Sequence, residues 1–342
     1  MNRNTVIKIV AALLLVCLVA VPVLVFPPYE PLAVTGPSAI HTARYTYRDE
    51  HRSEQYSSSG EHRQVNVAFW YPQPTSGHET YPLIVFSHGG LGLETSNESL
   101  YRELASHGYV VCSIGHPYHA FWTKGEDGQL TFVSMDYFQE IQREDARRDK
   151  EQSFRYYQAW METRTADISL AIDTILAQAA NGADGVYALV DQSMIGVMGH
   201  SLGGSAALAL PRQRADIDVV IALEAPFLYD IVGVEGNQFV WTDQPYPAPV
   251  LNVYSDSAWD HLSEWAQYGR NNDLISNAPE TVANLYLPGR GHFSMTDLSL
   301  ASPLLVRLLE GGKPTQGSEE YLIALNKVCL DFLDRYLKGR EG

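Results

Sequence analysis

The 342-residue sequence predicts an α/β protein built on one doubly wound, mostly parallel sheet. Three observations carry the prediction. Short continuous apolar runs alternate with helical patterns, as strands covered on both faces and their crossover helices require. One run, residues 194–198, leads into Gly199-His200-Ser201-Leu202-Gly203 and then a small-residue helix over 204–209. That strand–turn–helix context puts a serine on a sharp turn at the carboxyl edge of a middle strand. The composition, 45% hydrophobic and 19% charged, is that of a folded domain with a sizeable core.

At the amino terminus, Arg3 and Lys8 precede eighteen uncharged residues, 9–26, and then Pro27-Pro28. The run is long enough for a bilayer core, and basic residues before it orient the remainder outward. Residues 1–26 read as an uncleaved transmembrane anchor with an extracytoplasmic domain behind it; a cleaved secretion signal is the alternative. Cys17 follows Val16, where a lipid-attachment motif would carry a small residue. Residues 27–62 read as a tether and a polar, Ser-rich approach, and residues 63–342 as the folded domain.

Within that domain, 64–71 alternates as a strand and is stopped by Pro72 and Pro74. Residues 83–87 and 109–114 are apolar strands, with a helix over 100–107 between them. A long polar and aromatic insertion, 118–157, precedes a helix over 163–178. Its Tyr118, Phe121, Trp122, Phe132, Tyr137 and Phe138 fit a lid or acyl-binding wall, or equally the packing of a loop on the sheet. The run from Arg143 to Glu151 reads as a solvated helix. Strands follow at 194–198, 218–223, 249–254 and 283–287, and a last amphipathic helix at 319–337.

A net charge of −16 excludes nucleic acid and anionic surfaces as partners. Cysteine and histidine spacing offers no zinc site. Cys112, in a strand, and Cys329, in a helix, read as buried free thiols, with a disulfide as the alternative.

A serine on such a turn is a nucleophile only beside a base, and the base needs an acid to hold its tautomer. Ser201 is the candidate nucleophile, and the Leu202 N–H points where an oxyanion would form. His261 and His292 are the histidines that follow Ser201. His292, in the Gly-rich loop after the last strand, is the candidate base, whereas His261 falls in a helix. Two carboxylates end strands at the same edge, Glu224 and Asp256, and spacing leaves both open as the acid. Asp260 reads as a helix-start carboxylate stabilised by the dipole. The second oxyanion donor is expected from Ser87-His88-Gly89-Gly90-Leu91-Gly92, with Gly90 N–H the candidate and His88 organising the loop. His116 and His119 are candidates for the pocket wall, and Trp241, Trp259 and Trp265 for a cap over the cleft.

Three stretches carry a family resemblance: Tyr81 through Gly92, Gly199 through Gly204, and Gly115-His116-Pro117 with the charged insertion behind it. With residues 164–176 they resemble the plasma-type platelet-activating factor acetylhydrolases over about residues 62–335. The resemblance implies an α/β-hydrolase fold over 63–342. It also implies hydrolysis of short or oxidised phospholipid acyl esters, with no metal or cofactor. It maps the family's acid, in a Leu-Asp-Ala context, onto Leu223-Glu224-Ala225, its histidine onto His292, and its second oxyanion residue onto Gly90. The departure is Glu for Asp, one methylene longer, which keeps Asp256 in view. A cutinase-like polyester esterase or neutral lipase is the runner-up. A catalytically inactive binding protein on the same fold is the alternative from another class.

Overall fold

A computed structural model of the chain describes residues 5, 21–57, 59–74, 79–312 and 317–339. Its strands are β1 (Ile40–Ser53), β2 (His62–Pro72), β3 (Tyr81–Ser87), β4 (Val110–Ile114), β5 (Trp122–Lys124) and β6 (Leu130–Phe132). They continue as β7 (Val190–His200), β8 (Val219–Leu223), β9 (Ile231–Glu235), β10 (Gln238–Trp241), β11 (Val250–Tyr254) and β12 (Val282–Tyr286). The helices of eight or more residues are α1 (Glu98–Ser106), α2 (Met135–Arg143), α3 (Lys150–Ala180), α4 (Leu202–Gln213), α5 (Gly269–Ser276) and α6 (Ser318–Leu337).

Eight strands form one sheet in the order β1-β2-β4-β3-β7-β8-β11-β12. Every pairing from β4 to β12 is parallel, and the β1–β2 and β2–β4 pairings are antiparallel. The parallel strands β4, β8 and β11 are buried along their whole length, which is why they read as predominantly apolar runs without a charged residue. Helices α3 and α4 pack on one face of the sheet, and α1 and α6 on the other. This is the doubly wound α/β-hydrolase architecture, with β7 near the middle and its carboxyl end aimed at the site.

The tether expected over 27–62 is instead largely part of the fold. Residues 40–53 form β1, paired antiparallel to β2 from Ile40↔Pro72 through Arg48↔Gln64. Upstream, Gly36 N donates to Ser106 Oγ at 3.1 Å and Ser38 N to Ser106 O at 3.1 Å, tying the approach to α1. An edge strand with solvent on one side tolerates Thr42, Arg44, Thr46 and Arg48, so it never shows the apolar run of an inner strand.

The insertion also departs from expectation. Residues 143–151 are not one solvated helix: α2 ends at Arg143, and α3 starts at Lys150 with the Asp149 carboxylate accepting from Gln152 N at 2.9 Å. The helix expected over 163–178 therefore begins thirteen residues earlier. Asp260 follows the short helix Asp256–Trp259 rather than starting one. Cys112 and Cys329 are both buried free thiols, in the cores on opposite faces of the sheet. Most of the anchor or signal assigned to 1–26 lies outside the described residues. Among the described residues no helix is long and apolar enough to cross a membrane.

Candidate active site

Strand β7 ends in a turn that only small neighbours allow. Ser201 has φ 54° and ψ −126°, a left-handed conformation unfavourable for a side-chain-bearing residue. A Cβ on Gly199 would sit 2.3 Å from the Gly203 carbonyl, and a Cβ on Gly203 would sit 2.0 Å from the Ser87 oxygen. Glycine at both positions lets α4 start directly against β3 and β7. Ser201 N donates to Leu223 O at 2.8 Å, so the turn is also tied to the end of β8.

The next residue beyond β8 is Glu224, itself at φ 49°. Its Oε1 lies 2.8 Å from His292 Nδ1, and its Oε2 accepts from Ser255 N at 2.6 Å and from the Ser255 hydroxyl. Burial pushes this carboxyl up, but the His292 and Ser255 hydrogen bonds outweigh it and hold the pKa below the usual value. With Nδ1 engaged, His292 keeps Nε2 for the cavity. Its backbone is held as well: His292 N donates to Ser257 Oγ at 3.1 Å, and His200 Nε2 donates to His292 O at 3.0 Å. Asp256 faces elsewhere, accepting from Tyr286 OH at 2.8 Å and Gly289 N at 2.9 Å. It braces the loop that carries His292. His261 is exposed and pairs with Glu264 at 2.9 Å.

Ser201, Glu224, His292, Gly90 and Leu202 line one cavity of about 380 Å³. Among the described residues, neither the Gly90 nor the Leu202 N–H donates to another group of the chain. Two unengaged donors beside a serine and an imidazole–carboxylate pair are the parts that acyl transfer requires.

Apart from Trp265, the aromatic wall comes from residues that the sequence did not single out for it. Tyr157 and Trp160 on α3, with Trp265, Tyr268 and Phe293, line the cavity. Tyr157 OH donates to Glu144 at 2.6 Å and Trp160 Nε1 to Glu140 at 2.8 Å, fixing both rings. The expected lid residues Tyr118, Phe121, Trp122, Phe132, Tyr137 and Phe138 do not line it. Trp259 stacks on Tyr286 at 4.9 Å and Trp241 packs near Gly269, so Trp265 alone of the three expected tryptophans reaches the cleft. His116 and His119 are corrected too: both are fully buried behind the oxyanion loop, with Asp167 and Tyr56 as partners. The i, i+3 pair Tyr157/Trp160 was the available signal for the wall, hidden in a polar stretch.

Three comparisons bear on this geometry. The family described as "Platelet-activating factor acetylhydrolase, isoform II" matches residues 61–341. Platelet-activating factor acetylhydrolase from Cavia porcellus is 24% identical over 297 residues, 80% of this chain and 61% of that protein. The enzyme of that name from Canis lupus familiaris is 29% identical over 287 residues, 78% of this chain and 60% of that protein. Cutinase est2 of Thermobifida alba is 26% identical over 225 residues, 66% of this chain and 56% of that protein. This chain thus spans about 60% of the length of the curated acetylhydrolases it matches. A ferulic acid esterase from Streptomyces cinnamoneus shares the fold at a TM-score of 0.66 and 20% identity, over 92% of this chain and 94% of that one. From strand order, elbow and the family match over residues 61–341 together, the chain belongs to the platelet-activating factor acetylhydrolase, isoform II, family of α/β-hydrolases.

Proposed function

We propose that the chain is a serine hydrolase of carboxylic esters, cleaving short-chain or phospholipid acyl esters through Ser201, His292 and Glu224. The observation that carries this reading is the 2.8 Å contact between His292 Nδ1 and Glu224 Oε1 on the cavity that Ser201 enters. Ser201 Oγ attacks the ester carbonyl carbon and His292 Nε2 takes its proton. The carbonyl oxygen becomes an oxyanion that accepts from Gly90 N–H and Leu202 N–H. His292 returns the proton to the departing alcohol oxygen, and a water, deprotonated by the same imidazole, releases the acid. Glu224 keeps the imidazole in the required tautomer and stabilises it when charged. Asp256 has no place in these steps. The uncharged run over residues 9–26 supports attachment to a membrane with the catalytic domain outside the cytoplasm.

Hydrolysis of p-nitrophenyl esters of increasing acyl length by the detergent-solubilised full chain tests the reading. Turnover on short chains that disappears in Ser201→Ala is the expected result. Equal turnover by wild type and Ser201→Ala refutes it. The match to a cutinase supports a second reading, esters of a polymer, which preferential release of acid from polyester film would favour.

A further inference from the structure

Behind the oxyanion loop lies a charged side chain that the steps above do not use. Arg164, on α3, is completely buried. Its Nη1 donates to the His88 carbonyl, and its Nη2 donates to the Gly89 carbonyl at 3.2 Å and approaches Tyr137 OH at 3.4 Å. Among the described residues it makes no ion pair. Asp167, three residues along the same helix, is taken by Arg52, Arg63 and His116 instead. Among the described residues Arg164 Nε has no hydrogen-bond partner. A guanidinium stripped of water and given only neutral acceptors is costly to keep in place. Something must gain from it.

The Gly89 carbonyl and the Gly90 N–H belong to the same peptide. In a trans peptide the two point in opposite directions, so a donor gripping the oxygen fixes where the N–H aims. It also draws electron density toward the oxygen and makes the N–H a stronger donor. We propose that Arg164 is a positioning residue of the oxyanion hole, clamping the 89–90 peptide and supplying positive potential to the forming oxyanion. This rests on the serine-hydrolase reading above. The ground state offers this cation no counter-charge; the tetrahedral state, with negative charge on the carbonyl oxygen, does. An interaction present only in that state raises kcat rather than lowering KM.

The test uses the full chain in detergent, with Arg164→Met, Arg164→Lys and Ser201→Ala beside wild type, and near-UV circular dichroism to verify folding. Two readouts are taken: kcat and KM on a short p-nitrophenyl ester, and Ki for an alkylthio trifluoromethyl ketone. That ketone bonds its carbonyl carbon to Ser201 Oγ, passes the serine proton to His292 and leaves an oxyanion in the hole. Arg164→Met is expected to lose about 100-fold in kcat with KM within about threefold, and Ki should rise in proportion. Arg164→Lys keeps the charge but cannot fork over two carbonyls, and should recover about tenfold of that loss. Should Arg164→Met not fold, the lysine variant carries the test. A folded variant with kcat and Ki within about threefold of wild type overturns the proposal, as does a rise in KM alone. Absence of turnover by wild type would sink the hydrolase reading and this proposal together; an active wild type with insensitive Arg164 variants sinks only the proposal.

Discussion

Two Ser–His–acid chains sit on either side of β3 and β7, and only one faces a cavity. In the first, Glu224 Oε1 is 2.8 Å from His292 Nδ1 and Ser201 shares their pocket. In the second, Asp167 Oδ2 is 3.0 Å from His116 Nδ1, and His116 Nε2 is 2.9 Å from Ser87 Oγ. Burial opposes the charge on both carboxyls, and their partners outweigh it in both. His292 and Ser255 do so for Glu224, and Arg63 and then His116 for Asp167. What differs is access. The His292 side chain is 25% exposed and that of His116 is 0% exposed. Ser201 stands on a left-handed turn beside two unengaged N–H groups, whereas Ser87 closes a strand in the core. A Ser–His–acid set is architecture until a cavity and free donors are added to it.

The most damaging changes should separate the two serines. Ser201→Ala is expected to lower kcat by about 10⁴-fold or more, and Ser87→Ala by less than about tenfold, in single-turnover ester assays. Comparable losses from both would break the distinction. Next come the carboxylates of the open chain's neighbourhood. Glu224→Gln should cost about 10²–10⁴ in kcat, and Asp256→Asn less than tenfold, because only Glu224 meets the imidazole. The reverse order would move the acid role to Asp256.

The closed chain should reveal itself through stability instead. Asp167→Asn leaves Arg63 with Glu54 alone and Arg52 with Asp49 alone, removes the carboxylate that orients His116, and should cost about 3 kcal/mol in urea unfolding. Activity per folded molecule should stay within about tenfold. A second effect sharpens the point through pH. Burial, and then the Arg164 charge, lower His116 from 6.5 to about 4. The unfolded chain takes up that proton near 6.5 and the folded chain resists until about 4. The stabilisation is therefore complete above 6.5 and lost as pH falls toward 4. Relative to His116→Gln, wild type should lose about 3 kcal/mol between pH 7 and pH 4. A pH-independent difference would mean that His116 is not held neutral.

Much of this organisation was legible in the residues, and the failures have physical causes. The inner strands β3, β4, β8 and β11 announce themselves because burial on both faces keeps them mostly apolar and free of charged residues. Strand β1 does not, because its outer edge is wet and its alternation is Thr and Arg against Ala and Tyr. The first half of α3 was hidden for the opposite reason: its residues turn toward a cavity and half-buried carboxylates as well as a core. Glu224 and Asp256 could not be separated by spacing, since each lies just beyond one of two adjacent parallel strands in register at Leu223↔Val253. Sequence distance carries no information about which of two neighbouring strand ends leans toward a third loop. Arg164 was visible only as part of a resemblance, because nothing local marks an arginine as buried.

Helix α6 gives the molecule an order in time. It covers the sheet face opposite α3, packs with α1, and ties itself down through Tyr109 OH to Asp334 at 2.8 Å and Lys338 Nζ to His107 O at 2.8 Å. A chain emerging from a ribosome or a translocation channel will have delivered Ser201, Glu224 and His292 before this helix exists. Until it arrives, α1 leaves part of that hydrophobic face of the sheet uncovered. The last helix is thus the completing step: it closes a face of the sheet after Ser201, Glu224 and His292 are already in the chain.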